Sequence, residues 1–348
     1  MVPMGMPAMC QLDHKQGGVH DQGNPQHAAL AGQIHQRGGG RGVVGAVGGY
    51  KINSITPMAF ITLSLLNGLS YGLLLFMLSA GLTLVFSMMG VLNLAHASFY
   101  MLGAYCAYSL ALRWGFWPAL VLAPVLVGLL GAAFEKYALR RVHAHGHVAE
   151  MLVTFGLNTV LVELVQLAWG RGPVDYRMPA GLEGPLFSVL GTPFPAYRAF
   201  MVLVALAMLL ALWLLLARTR IGLVVQAALT HPDTVQTLGH NVPRVFMGVF
   251  GGGAALAALA GVVGGPALVT EPGMAATVGS VVFVVVVVGG MGSLRGAFYA
   301  SLLVGLLQTL AVGLPWAPIN RVAPLLPYAL LVAVLVLRPQ GLWGQRAQ

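Results

Sequence analysis

The chain has 348 residues, of which only 8% are charged and 58% are hydrophobic, and its formal net charge is +9. Soluble domains contain about a quarter charged residues, so the few charges here cannot cover a water-exposed surface of this size. The composition therefore excludes an ordinary cytosolic enzyme, a disordered polypeptide and a disulfide-stabilised secreted module. The basic residues lie singly or in pairs between apolar runs, which favours a role in membrane orientation over nucleic-acid binding.

The first 57 residues differ from the rest of the chain because they are rich in glycine, glutamine and histidine and contain no membrane-length apolar run. Such a segment cannot bury a core, and we expect residues 1–57 to be a disordered extension. A regulatory or metal-binding tail is the alternative. Translation from an early start codon would also explain the segment, with the true start near Met58. The functional domain is expected to cover residues 58–348.

From Met58 onward, apolar runs alternate with short breaks, and each run must be helical because lipid offers no partner for backbone polar groups. The sequence predicts an all-α integral membrane protein, a polytopic helical bundle of about eight to nine transmembrane segments. Several runs are shorter than the roughly 20 residues of a full span, which leaves the count open. The predicted spans are 60–86, 95–112, 117–134, 149–169, 196–217, 245–270, 278–292, 297–314 and 322–337.

The loops predict the orientation of this bundle. If residues 135–147 face the cytoplasm and the spans alternate, nine of the basic residues that follow residue 57 lie inside and five lie outside, with residues 1–57 left out of the count. This bias predicts an N-terminus outside and a C-terminus inside. Below, the inner side is the side of the 135–147 loop and the outer side is the side of the 170–195 loop.

The inner loop 219–244 has helix signals of its own. Pro232 is favoured at a first helical position, Asp233 complements the N-terminal dipole, and Gly239 is a good C-terminal stop. A helix of about seven residues is therefore predicted, with Val235 and Leu238 as a small apolar face. It is either a docking helix for a cytoplasmic partner or a capped connection between two spans.

Polar residues inside the apolar runs are candidates for a substrate pathway. Glu163 is the one acid clearly within a predicted span, where an ionisable group usually faces the bundle interior or a watery path. A carboxyl group hydrogen-bonded to a neighbouring helix is the alternative. Asn67 and Asn158 are candidates of the same kind, although interhelical hydrogen bonding explains such residues equally well.

Asn93 and His96 precede a run of small residues at the start of the second span. The pattern predicts a broken or re-entrant helix beside a pathway. A simple helix cap, in which Asn93 satisfies backbone donors, explains it equally well.

The chain contains no phosphate-binding G-x-x-x-x-G-K-[ST] motif, and none of its three lysines follows such a glycine. It also has no nucleophile elbow and no H-E-x-x-H motif. We therefore expect a transport subunit without an ATPase site of its own rather than an enzyme. A secondary transporter or channel that uses Glu163 and His96 as proton or ion groups is the alternative.

Three blocks of sequence resemble the signature of the LivH-type branched-chain amino acid ABC transporter permeases. The first covers residues 81–104 and begins GLTLVFSMMGVLNLAH; the second is GGMGSLRGA at 289–297; the third is RPQGLWG at 338–344. One position departs from the family pattern, because Gln226 stands where many members have arginine. The resemblance covers residues 58–348.

The resemblance implies half of an importer in the bacterial inner membrane. Its implied partners are a second permease of the LivM type, two cytoplasmic ATPase subunits of the LivG and LivF types, and a periplasmic substrate-binding protein. ATP and Mg²⁺ would be bound by the ATPase subunits, so no cofactor is expected in this chain. The resemblance places the coupling to the ATPases in loop 222–244. Implied substrates are branched-chain amino acids, amides, urea or other small polar solutes.

Overall fold

The computed structural model describes residues 57–344 except residues 91, 190–191, 231 and 314–316. The predicted extension, apart from its last residue, lies outside the described residues. Within this range the protein consists almost entirely of helices. They are α1 (Pro57–Met89), α2 (His96–Trp114), α3 (Phe116–Phe134), α4 (His147–Trp169), α5 (Ala196–Arg218), α6 (Arg220–Thr230), α7 (Pro232–Thr237), α8 (Val242–Gly264), α9 (Met274–Gly289), α10 (Leu294–Gly313), α11 (Ala317–Val322) and α12 (Leu326–Leu337).

Short elements join some of these helices. A π-helical turn at Glu135–Leu139, a helical turn at Arg140–Val142 and a 3₁₀ turn at His143–His145 connect α3 to α4. Further 3₁₀ turns lie at Ala180–Leu182 and Ala323–Leu325. Strands β1 (Pro185–Val189) and β2 (Thr192–Pro195) form an antiparallel hairpin in the outer loop, which the sequence did not predict.

Each of the nine predicted spans overlaps a helix, although the span 245–270 extends beyond the end of α8 at Gly264. This agreement confirms the polytopic helical bundle. Seven helical segments among the described residues are long and apolar enough to cross a membrane. The other two predicted spans correspond to α2 and to α9, which has only 16 residues. Both are extensively buried by their neighbours, so they need less apolar surface than a helix that faces lipid.

Helix α8 lies at the centre of the bundle and contacts α1, α2 and α3. Small residues permit these close contacts. A Cβ atom added at Gly261 of α8 would lie 2.0 Å from the carbonyl oxygen of Tyr100 in α2, so no larger residue fits there. Gly128 of α3 likewise lies against Ala255 of α8. Glycine and alanine at such positions allow two helix backbones to approach closely.

The outer loop is fastened to the segment between α8 and α9. The amide of Val174 donates a 2.9 Å hydrogen bond to the carbonyl oxygen of Thr270. Tyr176 packs against Gly265, and burial raises the pKa of its phenol above the usual value of 10.0. Nearby, Arg177 is exposed and pairs with Asp175 at 2.7 Å, and this hydrogen bond raises the pKa of its guanidinium.

Candidate functional site

A cavity of about 530 Å³ opens at the outer side of the bundle, between α1, α5, α10 and the segment that follows α8. We call it the outer cavity. Its polar lining residues are Ser64, Asn67, Ser70, Arg198, Gln308 and Thr309, and Tyr71 adds a phenol. Its larger apolar lining residues are Leu63, Leu74, Met201, Leu268 and Val312. The cavity therefore combines an apolar wall with a few convergent polar groups, which is typical of small-molecule sites.

Arg198 is the one charged side chain that lines the outer cavity. It is half-buried in the first turn of α5, and its Nη1 donates a hydrogen bond to Oδ1 of Asn67 in α1. Among the described residues, no carboxylate lies within 4.0 Å of its guanidinium. In contrast, Arg140 and Arg177 both have acidic partners. In the sequence analysis Arg198 is one of the five basic residues counted on the outer side. Its position in the cavity lining was not predicted.

Two neighbouring residues of α10 add hydrogen-bonding groups to the same cavity. Oε1 of Gln308 is buried and has no hydrogen-bond partner among the described residues. The Thr309 hydroxyl donates to the carbonyl oxygen of Gly305 at 2.8 Å, which leaves its lone pairs as acceptors. The cavity thus offers a cation on one side and oxygen acceptors on another.

The break between α1 and α2 lies well inside the bundle. The His96 imidazole has its Nε2 3.0 Å from the carbonyl oxygen of Leu78, about three turns before the end of α1 at Met89. The amide of Ala95 donates to Oδ1 of Asn93 at 3.1 Å, and both predicted residues are buried. The helix is interrupted here and Asn93 accepts a hydrogen bond from one backbone donor, while the N-cap residue of α2 is Ala95. A position of this break beside a pathway remains a prediction. Neither side chain lines the outer cavity.

Helix α4 is attached to this break by polar contacts. The amide of Leu94 donates to the Thr154 hydroxyl at 3.4 Å, and the Ser98 hydroxyl donates to Oδ1 of Asn158. Asn158 is therefore placed as an interhelical hydrogen-bonding residue. A role for Asn158 in the substrate pathway remains a prediction.

Glu163 is exposed on the face of α4 that points away from the rest of the bundle, which we call the outward face of α4. It has no hydrogen-bond partner among the described residues and lines neither the outer cavity nor the inner cavity described below. Its neighbour on the same face, Thr159, is also exposed, and its hydroxyl donates to the carbonyl oxygen of Phe155 at 3.2 Å. Of the five residues predicted for a pathway, only Asn67 lines the outer cavity.

The predicted helix of the inner loop is present as α7, Pro232–Thr237. Val235 is buried against Ala228 of α6 and Val242 of α8, whereas Leu238 is 73% exposed. Gly239 ends the helix with a φ of +87°, and the amide of His240 donates to the carbonyl oxygen of Val235 at 3.2 Å. Val235 and Leu238 therefore do not share one apolar face: one anchors the helix and the other is presented outward.

Helix α6 precedes α7 and caps the inner end of α5. Nε2 of Gln226 donates to the carbonyl oxygen of Leu216 at 2.8 Å, and the Thr219 hydroxyl donates to that of Leu215 at 2.6 Å. An inner cavity of about 540 Å³ lies between α1, α5, α6 and α8. It is mainly apolar, with Arg220, His240 and Arg244 among its lining residues.

Two acids that the sequence did not single out are buried at the inner side. Glu135 is paired with Arg140 at 2.7 Å, and the Arg140 guanidinium also donates to the carbonyl oxygen of Pro243 at 2.7 Å. Glu150 contacts the His143 imidazole. These contacts tie the loop before α4 to the start of α8.

The three sequence blocks that carry the resemblance meet at the inner side. Ser87, in the first block, donates a hydrogen bond to the carbonyl oxygen of Gly292 in the second. The amide of Trp343, in the third block, donates to the carbonyl oxygen of Gly289 at 3.0 Å, and the Trp343 ring stacks on Tyr299 at 4.8 Å. The blocks thus form one junction, made of the ends of α1, α9 and α10 and the segment after α12.

The fold and these sites define a multi-pass helical membrane protein with a polar cavity on one side and a structured helical loop on the other. Comparison with known proteins identifies its kind. Residues 64–335 match the model of the family described as the permease component of the branched-chain amino acid transport system. The chain belongs to this family.

Curated relatives agree with the family match. The chain is 26% identical over 296 residues to the high-affinity branched-chain amino acid transport system permease protein BraD of Pseudomonas aeruginosa, covering 81% of this chain and 95% of BraD. It is 27% identical over 298 residues to LivH of Escherichia coli K12, covering 80% and 94%. It is 28% identical over 297 residues to a probable LivH of Methanocaldococcus jannaschii, covering 79% and 90%. No solved structure matches the chain. The LivH-type resemblance is confirmed.

Proposed function

We propose that this chain is a transmembrane subunit of an ATP-driven importer for branched-chain amino acids or related small polar solutes in a bacterial inner membrane. It works with a second permease subunit of the LivM type, two ATPase subunits of the LivG and LivF types, and a periplasmic substrate-binding protein. The ATPase subunits bind ATP and Mg²⁺. Its relatives BraD and LivH are permease proteins of branched-chain amino acid transport systems, which supports this proposal.

The attachment of the inner loop to the membrane helices supports a mechanism in which the ATPase subunits act through this loop. Val235 of α7 is packed into the start of α8, and Gln226 of α6 is bonded to the end of α5. A force applied to α6 and α7 therefore acts on the inner ends of two membrane helices, and α8 contacts α1, α2 and α3. ATPase subunits that bind the inward- and outward-open states with different affinity shift the equilibrium between them.

Leu238 is the residue of this loop best placed to contact an ATPase subunit. It is a large apolar side chain, 73% exposed, directly after the helix that Val235 anchors. An exposed apolar side chain on a rigid support is a good contact for a partner because little conformational entropy is lost on binding. We propose that α7 and Leu238 form the centre of the ATPase contact, with Pro232 and Asp233 as the first residues of the helix.

The outward face of α4 supports a contact with the second permease subunit. A carboxyl group that faces lipid is costly, and Glu163 is exposed on this face within a 23-residue membrane helix. Contact with another transmembrane subunit that supplies a hydrogen-bond donor or a cation would remove this cost. We propose that the second permease covers Glu163 in the assembled importer.

Reconstitution tests the proposed function. The chain, the second permease and the ATPase subunits are co-expressed, placed in proteoliposomes and supplied with the binding protein and radiolabelled L-leucine. We expect uptake that requires ATP and all the subunits. Uptake by this chain alone, driven by an ion gradient and independent of ATP, would instead support a secondary transporter that uses Glu163 and His96.

Substitution of Leu238 tests the ATPase contact. Leu238→Asp is expected to reduce co-purification of the ATPase subunits about tenfold or more, since a buried apolar contact would be replaced by a charge. The matched control is Leu186→Asp, which changes an exposed leucine of the outer hairpin and should leave co-purification unchanged. Deletion of residues 231–239 should abolish both association and uptake. Normal association and uptake in the deletion variant would contradict the proposed role of the loop.

A further inference from the structure

The chemistry of the outer cavity indicates which part of a substrate it can hold. Arg198 is a half-buried cation with no acidic partner among the described residues. Burial of an unpaired charge is unfavourable, so this position favours an anion. The planar guanidinium also presents paired N–H donors whose spacing matches the two oxygens of a carboxylate. Within the described residues only Nη1 of Arg198 has a hydrogen-bond acceptor, Oδ1 of Asn67.

The rest of the lining complements an amino acid rather than an inorganic anion. Oε1 of Gln308 is a buried acceptor without a partner among the described residues, and it suits an ammonium group. Leu63, Leu74 and Met201 provide an apolar wall for an aliphatic side chain. A volume of about 530 Å³ lies within the range of about 300–1,000 Å³ that is usual for small-molecule sites.

We propose that the outer cavity is a substrate-binding site of the permease itself, in which Arg198 binds the carboxylate of an aliphatic amino acid. Gln308 accepts a hydrogen bond from the ammonium group, and the apolar wall contacts the side chain. The inference rests on the proposed function and deepens it, since it places a site for the substrate class within this chain.

The Arg198–Asn67 hydrogen bond gives this site a connection to the helices. It joins α5 to α1 across the cavity. Within the described residues the other N–H groups of Arg198 have no acceptor, so a carboxylate can bind them while Asn67 keeps its hydrogen bond to Nη1. A bound substrate then shares the guanidinium that joins α1 to α5, which links occupancy of the cavity to the contact between these helices.

The test measures binding of radiolabelled L-leucine to the assembled importer in lipid nanodiscs, without ATP and without the binding protein. Arg198→Gln is expected to weaken binding about 10- to 100-fold, as is typical for the loss of a charge-assisted contact. Arg177→Gln is the matched control, because Arg177 is exposed at the same side and lies outside the outer cavity. Unlabelled leucinamide, which lacks the carboxylate, should compete poorly with L-leucine.

Three results would overturn the inference: no binding of L-leucine to the wild-type importer, unchanged binding to the Arg198→Gln variant, or equal competition by leucinamide. Co-purification of the ATPase subunits is measured on the same samples. It should be normal in Arg198→Gln, which shows that the variant is folded and assembled. Failure of the wild-type chain to associate with ATPase subunits would contradict the proposed function, whereas normal assembly without leucine binding contradicts only the site.

Discussion

The hydroxyl of Ser87, near the end of α1, donates a 3.0 Å hydrogen bond to the carbonyl oxygen of Gly292, which lies 205 residues further along the chain. The carbonyl oxygen of Thr83, in the same helix, lies 2.8 Å from this hydroxyl and shares its single proton with Gly292. Next to it, the amide of Leu342 donates to the carbonyl oxygen of Val288 at 2.8 Å. The three family blocks therefore build a single junction at the inner side, the side on which the ATPase subunits are proposed to bind.

Replacement of Ser87 should weaken this junction by a measurable amount. Ser87→Ala removes the bond to Gly292 and is expected to lower the free energy of unfolding by about 1 kcal/mol, the usual net value of one such bond. Chemical unfolding in detergent micelles measures it. Ser188→Ala, at an exposed position of the outer hairpin, is the control and should have no effect. Equal stability of the two variants would show that the Ser87 bond adds nothing to the junction.

Close packing at the centre of the bundle leads to a second prediction. Gly261→Ala would place a Cβ atom 2.0 Å from the carbonyl oxygen of Tyr100, so α2 and α8 must separate. We expect a loss of at least about 2 kcal/mol in stability, or failure to accumulate in the membrane. Gly252→Ala, in the same helix, meets no atom within 4 Å and should be neutral or slightly stabilising. Thermal unfolding of both purified variants distinguishes these outcomes, and similar melting temperatures would contradict the packing argument.

Local signals in the sequence were sufficient to predict most helices. Membrane-length apolar runs predicted the spans, and Pro232 with Gly239 predicted α7, because each signal acts within a few residues of where it stands. The hairpin Pro185–Val189 and Thr192–Pro195 was missed because proline-rich loop sequence gives little alternation of polar and apolar residues. The predicted span 245–270 extended too far, since the apolar sequence continues after α8 ends at Gly264.

The candidate sites were less predictable because they depend on which helix faces which neighbour. Arg198 lies in the first turn of α5, where a basic residue usually indicates only membrane orientation. Its contact with Asn67 depends on the packing of α1 against α5, which the sequence does not give. Glu135 and Glu150 are buried beside partners five and seven residues away, Arg140 and His143, whereas Glu163, in the most apolar surroundings by sequence, is exposed. The rotation of α4 about its axis determines this difference, and apolar residues all around the helix leave that rotation unspecified.

Gln226 provides a prediction about coupling. Its Nε2 satisfies the carbonyl oxygen of Leu216, one of the last four of α5, which have no partner within the helix. Gln226→Ala should loosen α6 from α5 and reduce the substrate transported per ATP hydrolysed severalfold. Gln226→Arg introduces the arginine expected from the LivH-type resemblance and retains a donor, so coupling should be largely kept. Parallel uptake and ATPase assays measure the ratio, and an unchanged ratio in Gln226→Ala would remove this bond from the coupling mechanism.

Glu163 gives two opposite predictions for the isolated chain and for the importer. In the isolated chain Glu163→Leu replaces a carboxyl group at a lipid-facing position, so stability in bicelles should rise by about 1 to 3 kcal/mol. In the assembled importer the same change removes the group proposed to bind the second permease, and co-purification of that subunit should fall about tenfold. Glu163→Gln, which keeps hydrogen-bonding groups, should give values between those of the wild type and Glu163→Leu in both measurements.

Glu183→Leu, at an exposed acid of the outer loop, is the control and should change neither stability nor co-purification. If Glu163→Leu stabilises the chain and leaves the second permease bound, the outward face of α4 faces lipid, and the contact between the two permeases must lie on another helix.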